Sequence, residues 1–262
     1  MNLLLSPIQQ LHTVAHDFHA RLVSSAREDA IYAVRPPNAS GAPSPEFILE
    51  VRRVGDTVTV KEQYSILLPS FCAERHINPN GTFCLYWGEA EPSAIQDIEG
   101  AKAWWGKLLI FLLRQPSAAA LRKWPGKSDA RAHGSTAAEF QAKAEENAAK
   151  LGPKFLSALG EGRLCLTQGR RRDRLTLKLD GRRLFSVLSG EKRAMTLRQR
   201  CKCDDADSLQ LPIAACSGHA RHLAELVLNL DDWQKSEKIF YNDLRSREYV
   251  CCGTMDGCPL AK

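Results

Sequence analysis

No apolar run in the 262-residue chain approaches the roughly 20 residues that a membrane span needs; the longest is Leu108–Leu113. Internal repeats and low-complexity tracts are also missing, so neither a solenoid nor a long disordered segment is expected. No basic segment precedes the short apolar stretch Leu3–Leu5, and Ser6-Pro7 ends it, so the pattern gives no secretory signal and a cytoplasmic location is expected. Aromatic residues make up only 7% of the chain. Nine cysteines without an export signal are expected to be reduced, which makes metal binding or catalysis a better default than a disulfide framework. The remainder is ordinary for a globular protein, with 44% apolar and 25% charged residues and a mean hydropathy of -0.30. The length allows one large domain or two smaller ones.

The net charge of +6 is unevenly placed, because residues 163–200 hold 12 Lys or Arg against 3 Asp or Glu. Ser6 as N-cap, Pro7 and the spacing of Ile8, Leu11, Val14, Phe18 and Leu22 predict an amphipathic helix over 6–26. Strands are expected at 31–34, 47–54 and 58–68, with Gly55-Asp56 as a turn, and a loop at 36–45. A helix follows over 98–115, interrupted by Pro116, and another over 135–151. After Gly152-Pro153 the pattern changes to short strands, where Asp180-Gly181 marks a hairpin. A last helix is expected over 219–228.

The segment His76-Ile-Asn-Pro-Asn-Gly-Thr-Phe-Cys84-Leu carries the most chemistry. Pro79-Asn80-Gly81 predicts a tight turn that brings the Asn78 carboxamide towards the Cys84 thiol, with His76 bracing the loop. A cysteine beside a carboxamide, without an obvious acid/base partner, suits acyl transfer between thiols. Incoming and leaving groups are then both sulfur, and the main need is to stabilise an oxyanion. Cys72 reads as a packed thiol or a redox partner, and His133 as a surface histidine at a helix start or a residue that steers an incoming amine.

This segment resembles the active-site motif of the ubiquitin-conjugating (E2) family, a His-Pro-Asn tripeptide followed shortly by Gly-x-x-Cys-Leu. The order of elements over residues 1–151 is similar as well. Ile77 stands in place of the family proline, and the Asn-to-Cys interval is two residues shorter, which leaves the carboxamide role open between Asn78 and Asn80. The compact motif and the cysteine-rich extension resemble bacterial E2 proteins of antiphage operons. The resemblance implies an α+β E2-like catalytic domain at 1–152 and a basic, cysteine-rich, β-containing accessory domain at 162–262. It also implies an E2-like transferase in which Cys84 takes a ubiquitin-like protein from an E1-like enzyme as a thioester. Asn78 and His76 would support its transfer to an amine on a target.

Six of the nine cysteines fall in Cys201-Lys-Cys203, Cys216-Ser-Gly-His219 and Cys251-Cys252-x5-Cys258. Thiolates and imidazole are zinc ligands, and a structural zinc is expected on Cys201, Cys203, Cys252 and Cys258, with Cys216 and His219 as substitutes and packed thiols as the alternative. No organic cofactor is expected. The basic run Arg170–Arg174 with Arg182 and Arg183 reads as a solvated hairpin or a dock for an acidic protein. Nucleic acid is disfavoured because no aromatic platform is interleaved with it. Two rivals remain: a zinc-stabilised nucleic-acid- or protein-binding module on an inactive E2-like scaffold, and a cysteine hydrolase with a Cys84–His133 dyad.

Overall fold

The computed structural model describes residues 5–38, 44–87, 91, 93–126, 131–169, 171, 173–195, 197–203, 211–216 and 218–261. The chain forms two compact units, one of Met1–Pro125 with Arg245–Lys262 and one of Gly126–Leu244, whereas the sequence pattern suggests a division between 152 and 162. The architecture is α+β, with two antiparallel four-stranded sheets in the orders β1-β2-β3-β4 and β5-β6-β7-β8.

In the first unit, Ser6 caps α1 (Pro7–Val14) through a reciprocal pair of bonds with Gln9, and Pro7 occupies the first turn. The helix expected to reach Ala26 stops much earlier. A 3-10 turn over Ala15–Phe18 ends at His19, whose left-handed backbone (φ 55°) redirects the chain into β1 (Ala20–Ser25). There Leu22 joins the core from a strand paired with β2 (Asp29–Val34), so a spacing that fits a helix serves a sheet instead. β3 (Phe47–Val54) and β4 (Thr57–Glu62) complete the meander. β4 ends at Glu62 rather than Leu68 because the buried Glu62 carboxylate accepts the Leu67 and Leu68 amides at 3.0 and 2.9 Å, folding the chain back on itself.

One sheet face, including Tyr32, Leu49 and Val51, packs with α1 and α2 (Ile98–Leu121). Trp105 of α2 is fully buried edge-on to Tyr32 and donates its indole N–H to the Leu11 carbonyl at 3.0 Å. Pro116 does not end α2, although a proline inside a helix costs about 3 kcal/mol. Tertiary packing offsets that cost: Gln115 is buried and bonded to Arg75 in both directions, and Ala118, three residues on, is fully buried.

In the second unit, α3 (Ser135–Leu151) is followed directly by α4 (Pro153–Gly160), which the sequence reading does not anticipate. Gly152 (φ 117°) breaks one helix, and Pro153, locked near helical φ and needing no amide partner in the first turn, starts the next. β5 (Leu164–Gln168), β6 (Arg174–Leu179), β7 (Arg182–Leu188) and β8 (Arg193–Ala194) form the second sheet. Asp180 and Gly181, with φ of 50° and 77°, make the expected hairpin turn. α5 (His219–Ser246) runs 18 residues beyond the expected end at Leu228. Leu223, Leu226, Val227 and Leu230 bury its first half, while pairs such as Asp231–Lys235 (2.5 Å, i,i+4) support the polar remainder. Among the described residues no helix is long and apolar enough to cross a membrane.

Candidate functional site

A small hairpin between β4 and α2 displays the Cys84 motif. A 3-10 turn over Ala73–Arg75 ends at His76, again left-handed (φ 55°), and Ile77 then pairs with Cys72 on one side and Phe83 on the other. Ile77 is buried and donates its amide to the Cys72 carbonyl at 3.0 Å, a bond that a proline at this position would forfeit. The short Asn-to-Cys interval is closed by a tight turn. Asn78 N–H donates to the Thr82 carbonyl and Gly81 N–H to the Asn78 carbonyl, both at 2.8 Å, with Gly81 at φ 80°. The hairpin is docked through the Phe83 amide on the Val60 carbonyl (2.8 Å) and the Phe83 ring stacked on Phe111 of α2 (4.5 Å).

Both candidate carboxamides are organised by Thr82. Asn78 Nδ2 donates to Thr82 Oγ1 at 3.0 Å, while Asn80 Oδ1 accepts from Thr82 N at 3.1 Å and from Thr82 Oγ1 at 2.7 Å. His76 accepts the Cys84 amide on its carbonyl at 2.8 Å, and its ring meets Trp124 edge-on at 4.9 Å. Cys84 itself is exposed, and among the described residues no side chain hydrogen-bonds its sulfur. The surrounding chain desolvates the thiol enough to push it above its ordinary range, and the negative charge of Glu91 adds to this. Glu91 is held by Lys107 at 2.5 Å, and the Lys107 ammonium also lies 3.9 Å from the centre of the Tyr86 ring. At neutral pH the Cys84 thiol is therefore protonated. Such a group exchanges acyl chains with another thiol but is not primed for attack by a neighbouring base.

The other residues singled out from the sequence lie elsewhere. Cys72 is buried with its sulfur 2.8 Å from that of Cys252. His133 packs against α5, with Nδ1 3.3 Å from the Tyr241 hydroxyl and 3.6 Å from Glu237 Oε1. Arg170 and Arg172 lie outside the described residues. Arg171, Arg182 and Arg183 are exposed, and Arg174 is half-buried on β6.

In the second unit, Cys201, Cys203, Cys216 and His219 form a buried cluster whose ligand atoms all lie within 4.8 Å of one another. Two short segments build it. Cys201 follows the Arg200–Pro212 bridge and donates its amide to Leu211, while a 3-10 turn leads to Cys216. Gly218 (φ 75°) then lets the chain turn so that His219 opens α5 with its amide on the Cys216 carbonyl. The expected ligand set needs correction: Cys201 and Cys203 belong to the cluster, but Cys216 and His219 complete it, and Cys252 and Cys258 do not. The reason is local, since Gly218 turns the chain so that Cys216 and His219, three residues apart, both reach the Cys201–Cys203 pair.

The donor set fits a structural zinc. Tetrahedral bonds of about 2.3 Å place ligand atoms about 3.7 Å apart. Here Cys203 Sγ lies 3.6 Å from Cys216 Sγ, and His219 Nδ1 lies 3.6 and 3.2 Å from the sulfurs of Cys201 and Cys216. Burial pushes the Cys201 and Cys216 thiols up, and neighbouring sulfurs add to it, so a dication is what would hold them as thiolates. Four protein ligands would leave no open position, so a zinc held there would serve structure rather than catalysis.

Compared with known families, residues 18–126 match the family described as a prokaryotic E2 domain. Residues 132–260 match the family described as a cysteine-rich domain, C-terminal to E2 domain. No curated protein and no solved structure matches the chain.

Proposed function

We propose, from the premise that this chain belongs to the prokaryotic E2 family and carries the cysteine-rich domain that follows it, that it is a thioester carrier in ubiquitin-like conjugation with Cys84 as the acceptor. The Cys84 thiol attacks the thioester that joins a ubiquitin-like C-terminus to an E1-like enzyme. A new thioester forms on Cys84 and the E1 thiol is released with the proton. An amine of a target protein then attacks, an amide bond forms, and the Cys84 thiol is regenerated. Asn78 supplies a donor to the oxyanion of the second step, and His76 positions the loop through its carbonyl and its ring. The setting is bacterial antiphage defence, on the resemblance of the compact motif and extension to E2 proteins of such operons. The cysteine-rich unit, held by zinc on Cys201, Cys203, Cys216 and His219, supplies docking surface.

The carrying observation is an exposed cysteine directly after a carboxamide-bearing hairpin, with no base hydrogen-bonded to its sulfur among the described residues. That arrangement meets the modest demands of thiol-to-thiol acyl exchange better than those of a hydrolase, which must activate water. Incubation with a cognate E1, ATP and the ubiquitin-like protein is expected to give a thiol-sensitive adduct. Cys84→Ala abolishes it and Cys84→Ser gives a slower, thiol-resistant ester. Loss of the adduct in Cys72→Ala with Cys84→Ala still charging overturns the assignment.

A further inference from the structure

Within the unit of Met1–Pro125 and Arg245–Lys262, two thiols stand where distant parts of the chain meet. Cys72 Sγ lies 2.8 Å from Cys252 Sγ, across 180 positions of sequence. By comparison, 3.6 Å separates the sulfurs of Cys203 and Cys216 in the buried quartet. A disulfide brings its sulfurs to about 2.05 Å, so a small side-chain rotation closes the remaining gap. The two segments are also held together on either side of the thiols. The Phe71 ring packs on that of Tyr249 at 5.0 Å, and the buried Arg75 donates to the Thr254 hydroxyl at 3.4 Å.

The two thiols differ in access and in charge. Cys72 is 2% exposed, whereas Cys252 is half-buried. The hydroxyl that Arg75 contacts lies 3.0 Å from Cys252 Sγ. Burial works against a charged Cys252, but the Cys72 thiol, the Thr254 hydroxyl and the Arg75 guanidinium outweigh it and hold Cys252 below its ordinary value. Burial pushes Cys72 the other way. The thiolate is the form that oxidants attack. Cys252 is thus the accessible, reactive sulfur and Cys72 the shielded one within its reach.

We propose that Cys252 is a peroxide-oxidised site that Cys72 resolves as a reversible disulfide, tying the C-terminal segment to the base of the Cys84 hairpin. The Cys252 thiolate attacks hydrogen peroxide: an S–O bond forms, the O–O bond breaks, hydroxide leaves, and the sulfur is oxidised to a sulfenic acid. Cys72 then attacks that sulfur. An S–S bond forms, the S–O bond breaks, and the departing hydroxide takes the Cys72 proton, so that two thiols and one peroxide become one disulfide and two waters. The tie to the hairpin is direct, because Cys72 exchanges both main-chain hydrogen bonds with Ile77. Disulfides in reducing compartments are commonly transient and redox-sensing, and a dithiol reductant reverses this one. Cys84 takes no part in either step, so the pair forms in Cys84→Ser as well, whatever Cys84 carries.

The test is mass spectrometry of the full chain before and after brief exposure to hydrogen peroxide, with free thiols blocked before digestion. The unaltered chain is expected to lose two hydrogens, with peptide fragmentation placing the link between Cys72 and Cys252, and dithiothreitol restores the original mass. The link persists in Cys251→Ser and disappears in Cys252→Ser. A 1,3-diketone that traps sulfenic acid distinguishes the two sulfurs. In Cys72→Ser it labels Cys252, which has lost its resolving thiol, whereas in Cys252→Ser the buried Cys72 stays unlabelled. Because a variant can fail to fold, the peptide map of the unaltered chain decides. No Cys72–Cys252 link in that map overturns the proposal, as does a link from Cys252 to its neighbour Cys251 in its place or diketone labelling of Cys72 rather than Cys252.

Discussion

Replacing Thr82 with valine tests whether the carboxamides above Cys84 are held for catalysis. The substitution preserves the β-branched shape that suits the bridge to Lys61 and removes only the hydroxyl. Two bonds are lost, from Asn78 Nδ2 and to Asn80 Oδ1, while the main-chain bonds that close the turn remain. At the exposed end of the range, about 0.5–1 kcal/mol per bond, the one bond lost by Asn78 is worth roughly a 2- to 5-fold fall in the population with that carboxamide fixed. The Asn78 amide has two hydrogens, and the bond to Thr82 fixes the group while leaving the other free to donate. Transthiolation makes little use of that donor, whereas amine attack builds a charged tetrahedral intermediate. Single-turnover gels are therefore expected to show Thr82→Val charging at the rate of the parent protein, with discharge to free lysine slowed roughly 2- to 5-fold. Equal slowing of both steps refutes the reasoning, as does normal discharge in Thr82→Val beside slow discharge in Asn78→Ala.

Charging is expected to accelerate as pH rises from about 6.5 to 8.5, up to tenfold per unit, because burial and Glu91 hold the Cys84 thiol above its ordinary value and leave little thiolate at neutral pH. Glu91→Gln shifts that profile to lower pH, which a pH series of initial charging rates measures. Ile77→Ala removes a fully buried side chain at the foot of the hairpin and should cost about 2–5 kcal/mol in urea unfolding. Cys216→Ser removes one ligand of the buried quartet and should lower the melting temperature of the second unit, with loss of its zinc by elemental analysis.

The sequence carried three of the four strands of the meander, the Asp180-Gly181 hairpin and the helix over 135–151, because each rests on short-range chemistry: alternation, a dipeptide suited to positive φ, or a helical stripe. Where tertiary contacts decided the outcome, local pattern misled. Phe18 and Leu22 stand four apart on what looks like one helix, yet the left-handed His19 separates a 3-10 turn from a strand. Pro116 is a breaker by propensity and is overruled by the buried Gln115–Arg75 pair, a contact 40 residues apart that no window of sequence reveals. The zinc quartet was half legible. Cys-x-Cys and Cys-x2-His were both visible, and their closeness in sequence was the better guide. Spacing alone did not say which of the three cysteine groups meet, because that depends on the turn at Gly218.

Residues 245–262 belong to the same compact unit as residues 1–125, so the unit that carries the Cys84 hairpin is completed by residues made after the whole of the second unit. Arg122 pairs with Asp256, Arg75 reaches Thr254, and the buried Met255 and Leu260 sit in this segment. At about 5–20 residues per second, the ribosome needs roughly 7–27 s to pass from residue 126 to residue 262. Within it the second unit gains its last residue, 244, before the first unit gains residues 245–262. Synthesis therefore acts as a timer. A nascent chain presents Cys84 on a finished scaffold only after the zinc-binding sequence has been made, and premature termination before residue 245 leaves a thiol without its complete support.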